Sequence, residues 1–233
     1  MEADEKFTVD TEFLLTGRTL CEYRAMFDLE IETLADRTVL DCPSGAGSFV
    51  REAADRGAEI TGVDMLYDQP PAVLKRRVQD DFGAVANQLP EKADLFEWNF
   101  YGTVAHRLEL MERAIETFLS DYPTGRTEGR YVYGQLPTLP FADETFSLVL
   151  SAHLLFLYGD RLDFEFHLTA IRELCRVASE EVRIFPLVGL DTEPYDRLDA
   201  VIEILAEDGY QPARIDVPFE FQQGATELLR IGV

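Results

Sequence analysis

Basic residues, cysteines and long apolar runs are scarce in this chain of 233 residues, and each scarcity excludes something. Only 21 lysines and arginines stand against 44 aspartates and glutamates, a net charge of −23. A field of that sign repels nucleic-acid phosphates and anionic membranes, and no basic groove with interleaved aromatics offsets it. The same excess of carboxylate suits adaptation to high salt, where ions screen the repulsion over roughly 3 Å at 1 M. This halophilic reading is favoured, and under it the charge says little about the substrate. Cys21, Cys42 and Cys175 form no C-x-x-C pair, so no disulfide framework or zinc site is expected. His106, His153 and His167 lie far apart without ligand spacing, so no metal is expected. The acidic opening stretch, whose residues 1–10 are expected to be mobile, contains no long apolar run. No leader or membrane span is therefore expected, and the reading is of a reduced, cytoplasmic protein. Repeats and low-complexity segments are absent too. The oligomeric state is not legible.

What is present suffices for a core: 46% of residues are hydrophobic and 11% aromatic. The length fits one domain, 1–233, with an insertion. Its organising stretch is Thr38-Val-Leu-Asp-Cys-Pro-Ser-Gly-Ala-Gly-Ser-Phe49. Thr38 to Cys42 reads as a short buried parallel strand. Pro43, Ser44, Gly45 and Gly47 then form a bend, and Phe49, Val50, Ala53 and Ala54 resume at helical spacing until Gly57. A strand, glycine-rich turn and helix bring backbone close to a ligand. A second strand, Glu59 to Val63, ends on Asp64, 23 residues after Asp41. An acid so placed accepts hydrogen bonds from both hydroxyls of a ribose, which points to a nucleoside-containing cofactor.

Two cofactor classes compete. A dinucleotide fingerprint needs a third small residue, and Val50 stands there. Val39-Leu-Asp-Cys-Pro-Ser-Gly-Ala-Gly47 instead resembles the first motif of class I S-adenosylmethionine-dependent methyltransferases, V-L-D-x-G-x-G-x-G. Pro43 departs from that motif at its first glycine, and its missing N–H cannot contact a cofactor. Gly134-Gln-Leu-Pro-Thr-Leu-Pro-Phe141, followed by Ala142 to Ser151, resembles the family's run G-D-A-x-x-L-P-F-x-D-x-x-F-D-x-V-x-S. Gln135 replaces the usual acid, and its carbonyl can still accept from an adenine amino group. The resemblance implies a doubly wound, seven-stranded, Rossmann-like α/β sheet with an antiparallel last strand. It implies S-adenosylmethionine as cofactor, held by Asp41, Cys42, Pro43, Ser44, Gly45, Gly47, Asp64, Met65, Gln135, Leu136 and Ser151.

In chain order, Thr19 and Glu22 form a capping-box pattern, and Leu20, Tyr23, Phe27, Ile31 and Leu34 continue one helix. Residues 1–36 are read as a helical cap, from which Gly17, Arg18 and Tyr23 reach toward the ligand or simply pack. Residues 69–128 read as a helical insertion: one helix over 72–86, another through Val104, Leu108, Met111, Ile115 and Phe118. Between them Leu95 to Tyr101 is strongly aromatic. The insertion is either a lid supplying aromatic walls such as Trp98 and Tyr101 for an acceptor, or a satellite core. Strands follow at 130–133, 146–150 and 181–187, with a helix over 164–178 between the last two. Pro194 is read as opening a helix that runs to Gly209. The strands 213–221 and 226–233 close the chain around a turn at Gln222-Gln-Gly224.

Methyl transfer from a sulfonium is an in-line displacement, so positioning and water exclusion carry much of the work. His153, leaving the fourth strand's carboxyl end, is the candidate base if the acceptor arrives protonated, with Tyr158 as a rim hydroxyl. No Asn/Asp-Pro-Pro-aromatic motif follows that strand, and no Pro-Cys nucleophile of the pyrimidine-carbon type is present. A small-molecule acceptor is therefore expected, with a protein side chain as the other acceptor left open, and nucleic acid is not. The alternatives are a protein that binds the cofactor without catalysis, and a nicotinamide-dependent oxidoreductase.

Overall fold

A computed structural model describes residues 13–233; the expected mobility of residues 1–10, and the start of the 1–36 cap, lie outside them. Seven strands form one sheet: β1 (Thr38–Asp41), β2 (Glu59–Asp64), β3 (Tyr131–Tyr133), β4 (Phe146–Ala152), β5 (Ala178–Phe185), β6 (Gln211–Asp216) and β7 (Glu227–Gly232). Their order is β3-β2-β1-β4-β5-β7-β6. β1 to β5 are mutually parallel, and β7 inserts antiparallel between β5 and β6. This is the expected doubly wound α/β sheet, with the antiparallel strand where it was anticipated.

The sheet is covered on both faces, and the strand sequences show why. Along β1, Val39 joins Leu148 and Leu150 in one core with α1 (Leu20–Met26), α2 (Phe49–Ala54) and α4 (Val104–Thr127). Leu40 and Val149 face the opposite core, built on α5 (Phe164–Val177) and α6 (Leu198–Glu207). Successive side chains alternate between faces, so strands buried on both sides read as continuous apolar runs. The 69–128 segment holds α3 (Pro71–Gln88) and α4. α4 runs nine residues beyond Phe118 and carries Pro123 in its last turns.

Other boundaries differ from expectation for local reasons. α1 stops at Met26, because Asp28 turns left-handed (φ +48°) and Leu29 N–H closes on Arg24 O at 3.0 Å, a Schellman arrangement. Ile31–Asp36 is a separate 3₁₀ segment. β5 begins at Ala178 and ends at Phe185, three residues ahead of the expected start. α6 begins at Leu198 and not at Pro194, which bridges Val188 while Tyr195 N–H bonds Leu187 O at 3.0 Å. β6 ends at Asp216, just ahead of Pro218, which has no N–H to give a ladder. The loop after it crosses to the insertion, where Glu97 N–H bonds Phe221 O at 2.7 Å. The expected turn at 222–224 forms, with Ala225 N–H on Gln222 O at 3.0 Å, but it lies within a wide loop and does not join the two strands directly.

Candidate active site

The strand order reverses between β1 and β4, and in such sheets ligands bind beyond the strands' carboxyl ends at that point. A cavity of about 220 Å³ lies there. Cys42, Pro43, Ser44 and Gly45 line it from the bend, Asp64 and Met65 from the end of β2, and Gln135 and Leu136 from beyond β3. His153 and Tyr158 line it from beyond β4. Residues from four separated stretches thus meet in one place. Met65 is 42% exposed and Gln135 is exposed, so both form the rim.

Asp64 is the buried acid of this cavity. Its Oδ2 accepts from Gly45 N–H and its Oδ1 from Leu66 N–H, each at 3.0 Å. Each oxygen retains a lone pair for a further donor. Burial raises this carboxyl above its ordinary range, and the two N–H groups partly offset the shift. Two further amides of this stretch are turned into the protein. Ser44 N–H bonds Val63 O at 2.9 Å and Ser48 N–H bonds Arg18 O at 2.8 Å. Buried backbone groups need partners, and here the fold itself supplies them. Gly45 is left-handed at φ +60°. Gly47 serves a close approach: a Cβ there would sit 2.8 Å from Arg18 O, so this glycine admits the N-terminal segment.

Five expected residues do not line the cavity. Asp41 is buried behind Tyr23, whose hydroxyl donates to Oδ1 at 2.9 Å. Burial raises the Asp41 carboxyl to about 7, against hydrogen bonds from Ser44 and Tyr23, with Asp64 adding repulsion. Gly47 packs on Arg18 as described. Ser151 is buried on β4, and its Oγ has no hydrogen-bond partner among the described residues. Trp98 is turned away: its Nε1–H donates to Ala93 O at 2.8 Å and its ring braces Phe221. Tyr101 is buried in a charged cluster that spacing does not foretell. It accepts from Arg18 Nη1 at 2.6 Å and donates to Glu22 Oε1 at 2.5 Å. Arg18 also bonds Glu22 Oε1 at 3.0 Å, and Arg107 Nη1 stands 3.9 Å from the same oxygen.

A second cavity, of about 150 Å³, adjoins the first. Leu14, Thr16, Arg18, His153 and Tyr158 line both. The rest of the second cavity's wall is largely apolar and aromatic, with Phe96 from the insertion, Phe185 from β5, and Phe219 and Phe221 from the loop after β6, and Asp191, Thr192, Gln222 and Gln223 add polar groups to it. Arg107 is on its wall and not on the first. Sequence reading missed Arg107, Phe219 and Phe221; Pro218 was the available signal that the loop leaves the sheet.

His153 sits at the junction, left-handed at φ +55°. Its Nε2 is 3.1 Å from Arg18 Nη2. Guanidinium only donates, so Nε2 is the acceptor and Nδ1 carries the ring proton. Burial, with Arg18 and Arg107 nearby, holds its pKa well below the ordinary value, so the ring is neutral. The lone pair expected to act as a base is therefore occupied, and the Nδ1–H is buried without a hydrogen-bond partner among the described residues. Among the described residues no cluster of His, Cys, Asp or Glu is arranged to hold a metal, and no helix is long and apolar enough to cross a membrane.

No protein-family model matches the chain. An uncharacterized protein of Methanocaldococcus jannaschii, MJ0045, is 34% identical over 220 residues, covering 94% of this chain and 95% of its own. Among solved structures, the chain is similar to a TehB-like SAM-dependent methyltransferase from Corynebacterium glutamicum (15% identity, TM-score 0.46, 87% of this chain and 86% of that one). It is also similar to magnesium protoporphyrin IX methyltransferase from Synechocystis (13% identity, TM-score 0.45, 97% and 86%). The chain belongs to one family with the Methanocaldococcus jannaschii protein, and its strand order is that of the class I S-adenosylmethionine-dependent methyltransferase fold.

Proposed function

We propose that the protein transfers a methyl group from S-adenosylmethionine to a small-molecule acceptor. The observation that carries this reading is the pair of adjoining cavities with a common wall. The first has the donor set such a cofactor asks for. Asp64 has lone pairs to spare for ribose hydroxyls, and Met65, Leu66 and Leu136 offer an apolar flank for adenine. Asp64 also puts a buried acidic group close to where a cation would lie. When bound, the cofactor supplies an electrophilic methyl carbon on sulfur with a neutral thioether as leaving group.

The chain's own residues then have three tasks. Walls from both cavities align the partners and keep water out, the largest contribution available to such a displacement. His153 stands at the junction as a neutral ring. Tyr158, whose hydroxyl accepts from Leu14 N–H at 3.1 Å and whose pKa burial raises, stays protonated and donates. Neither is assigned as a base; an acceptor that arrives unprotonated needs none. The 69–128 insertion contributes Val85, Leu89, Leu95, Phe96 and Arg107 to the second cavity, which supports a lid role over the acceptor. A cytoplasmic location and a salt-adapted surface belong to the same proposal on composition, and unfolding in molar potassium chloride against dilute buffer tests the latter.

Calorimetric titration with S-adenosylmethionine, S-adenosylhomocysteine and NAD tests the cofactor. Binding of the first two and not of NAD is expected; the reverse removes the reading. Incubation of a metabolite extract with methyl-labelled cofactor tests the transfer: label appearing in a small molecule is expected, and binding without any transfer leaves a cofactor-binding protein.

A further inference from the structure

The second cavity carries a charge imbalance that the fold does not explain. Two guanidinium groups, Arg18 and Arg107, are 8% and 3% exposed, and one fully buried carboxylate, Glu22, faces them. Tyr101 lies between them, and burial raises its pKa, so it stays neutral. His153 is neutral as well. The group therefore holds one positive charge in excess. Asp191, also on the cavity wall, does not cancel it: it is exposed, and its Oδ1 accepts from Glu193 N–H at 3.2 Å.

Arg107 is the more weakly paired of the two guanidinium groups, 3.9 Å from Glu22 Oε1 against 3.0 Å for Arg18. Its Nε and Nη1 are buried without a hydrogen-bond partner among the described residues, and Nη1 is too far from Glu22 for more than an ion-pair contact. Burial is also the leading cause of the lowered pKa of this guanidinium. Its flat faces are covered, since its centre lies 5.1 Å from the Tyr101 ring and 5.8 Å from the Phe221 ring. The edge is what remains for a ligand, and a small rotation of the side chain would bring its N–H groups to the lumen. Leaving buried guanidinium N–H groups unpaired is costly, and a planar oxyanion is their best-matched partner.

Resting on the methyl-transfer reading, we infer that the acceptor is a monocarboxylate with an apolar or aromatic body, its carboxylate taken by Arg107 and its reacting atom directed to the common wall at His153 and Tyr158. A single surplus charge matches a monoanion. The rings of Phe96, Phe219 and Phe221 match an unsaturated or aromatic body. Arg107 is then a substrate-positioning residue, and the charged cluster is a specificity device that discriminates against neutral and cationic acceptors.

The test uses the full chain saturated with S-adenosylhomocysteine, titrated calorimetrically with benzoate, benzamide, benzylamine and phenyl phosphate. Benzoate is expected to bind at least about tenfold tighter than benzamide, as one charge-assisted contact implies. Arg107→Gln is expected to erase that ratio while S-adenosylhomocysteine affinity is unchanged, and Arg107→Lys to restore part of it. Equal binding of benzoate and benzamide to the wild-type protein, which needs no variant to fold, overturns the inference, and so does tighter binding of phenyl phosphate than of benzoate. Failure of the cofactor reading looks different: S-adenosylhomocysteine would not bind, while the benzoate preference, measured without it, would persist.

Discussion

Replacing Asp41 by Asn removes a buried acid whose pKa burial raises from 3.8 to about 7. The sign of its effect on stability follows from proton counting. Between those two values the unfolded chain has released the proton and the folded chain keeps it, so unfolding becomes easier as pH rises through that window. The slope reaches at most about 1.4 kcal/mol per pH unit, and the whole shift corresponds to about 4 kcal/mol. From pH 5 to pH 8 roughly 3 kcal/mol of it remains to be lost. In the Asn variant the carbonyl still accepts from the Tyr23 hydroxyl, so packing is preserved and the titration is gone. Urea unfolding of both proteins at pH 5, 6, 7 and 8 is the assay. The wild-type protein is expected to lose stability relative to Asp41→Asn by about 3 kcal/mol across the range, with the change ending just above pH 7. A stability difference that does not vary with pH refutes the argument, because it would mean that this carboxyl titrates alike in the folded and unfolded chain.

Glu22→Gln leaves Arg18 and Arg107 buried without a counter-charge and should destabilise the fold by about 3–5 kcal/mol, measured by chemical unfolding. A loss under 1 kcal/mol would mean that the cluster is solvated. Gly47→Ala places a methyl group against the Arg18 carbonyl, which cannot move without the N-terminal segment. It should cost about 1–3 kcal/mol, and because Ser48 N–H is anchored to the same carbonyl, protease cleavage near residue 18 should accelerate.

How much was legible depended on range. β1, the bend and β2 were readable because strand, glycine turn and terminal acid lie within 27 residues, Thr38 to Asp64. The capping box at Thr19 was equally local, and it forms, with Thr19 N–H on Glu22 Oε2 at 2.7 Å. The same glutamate's ties to Tyr101 and Arg107 were invisible, because they join residues some 80 positions apart that only the packed fold unites. Glycines were ambiguous for another reason: a gap beside a ligand and a gap beside backbone need the same residue, and Gly47 served the second. Pro194 and Pro218 were misread in opposite senses. The first was assigned a helix start that it does not make, and the second was passed over although it ends β6. Trp98 was expected to wall an acceptor site, but it braces Phe221 while Phe221 itself lines the second cavity.

The central claim is that the crevice beyond β1, β2 and β4 holds an adenosyl cofactor through Asp64. A crystal structure of the protein grown with S-adenosylhomocysteine tests it most directly. Ribose hydroxyls within hydrogen-bond distance of both Asp64 oxygens, and the sulfur facing the wall that carries His153, are the predicted result. The ligand bound in another place, or Asp64 without contact to it, contradicts the account.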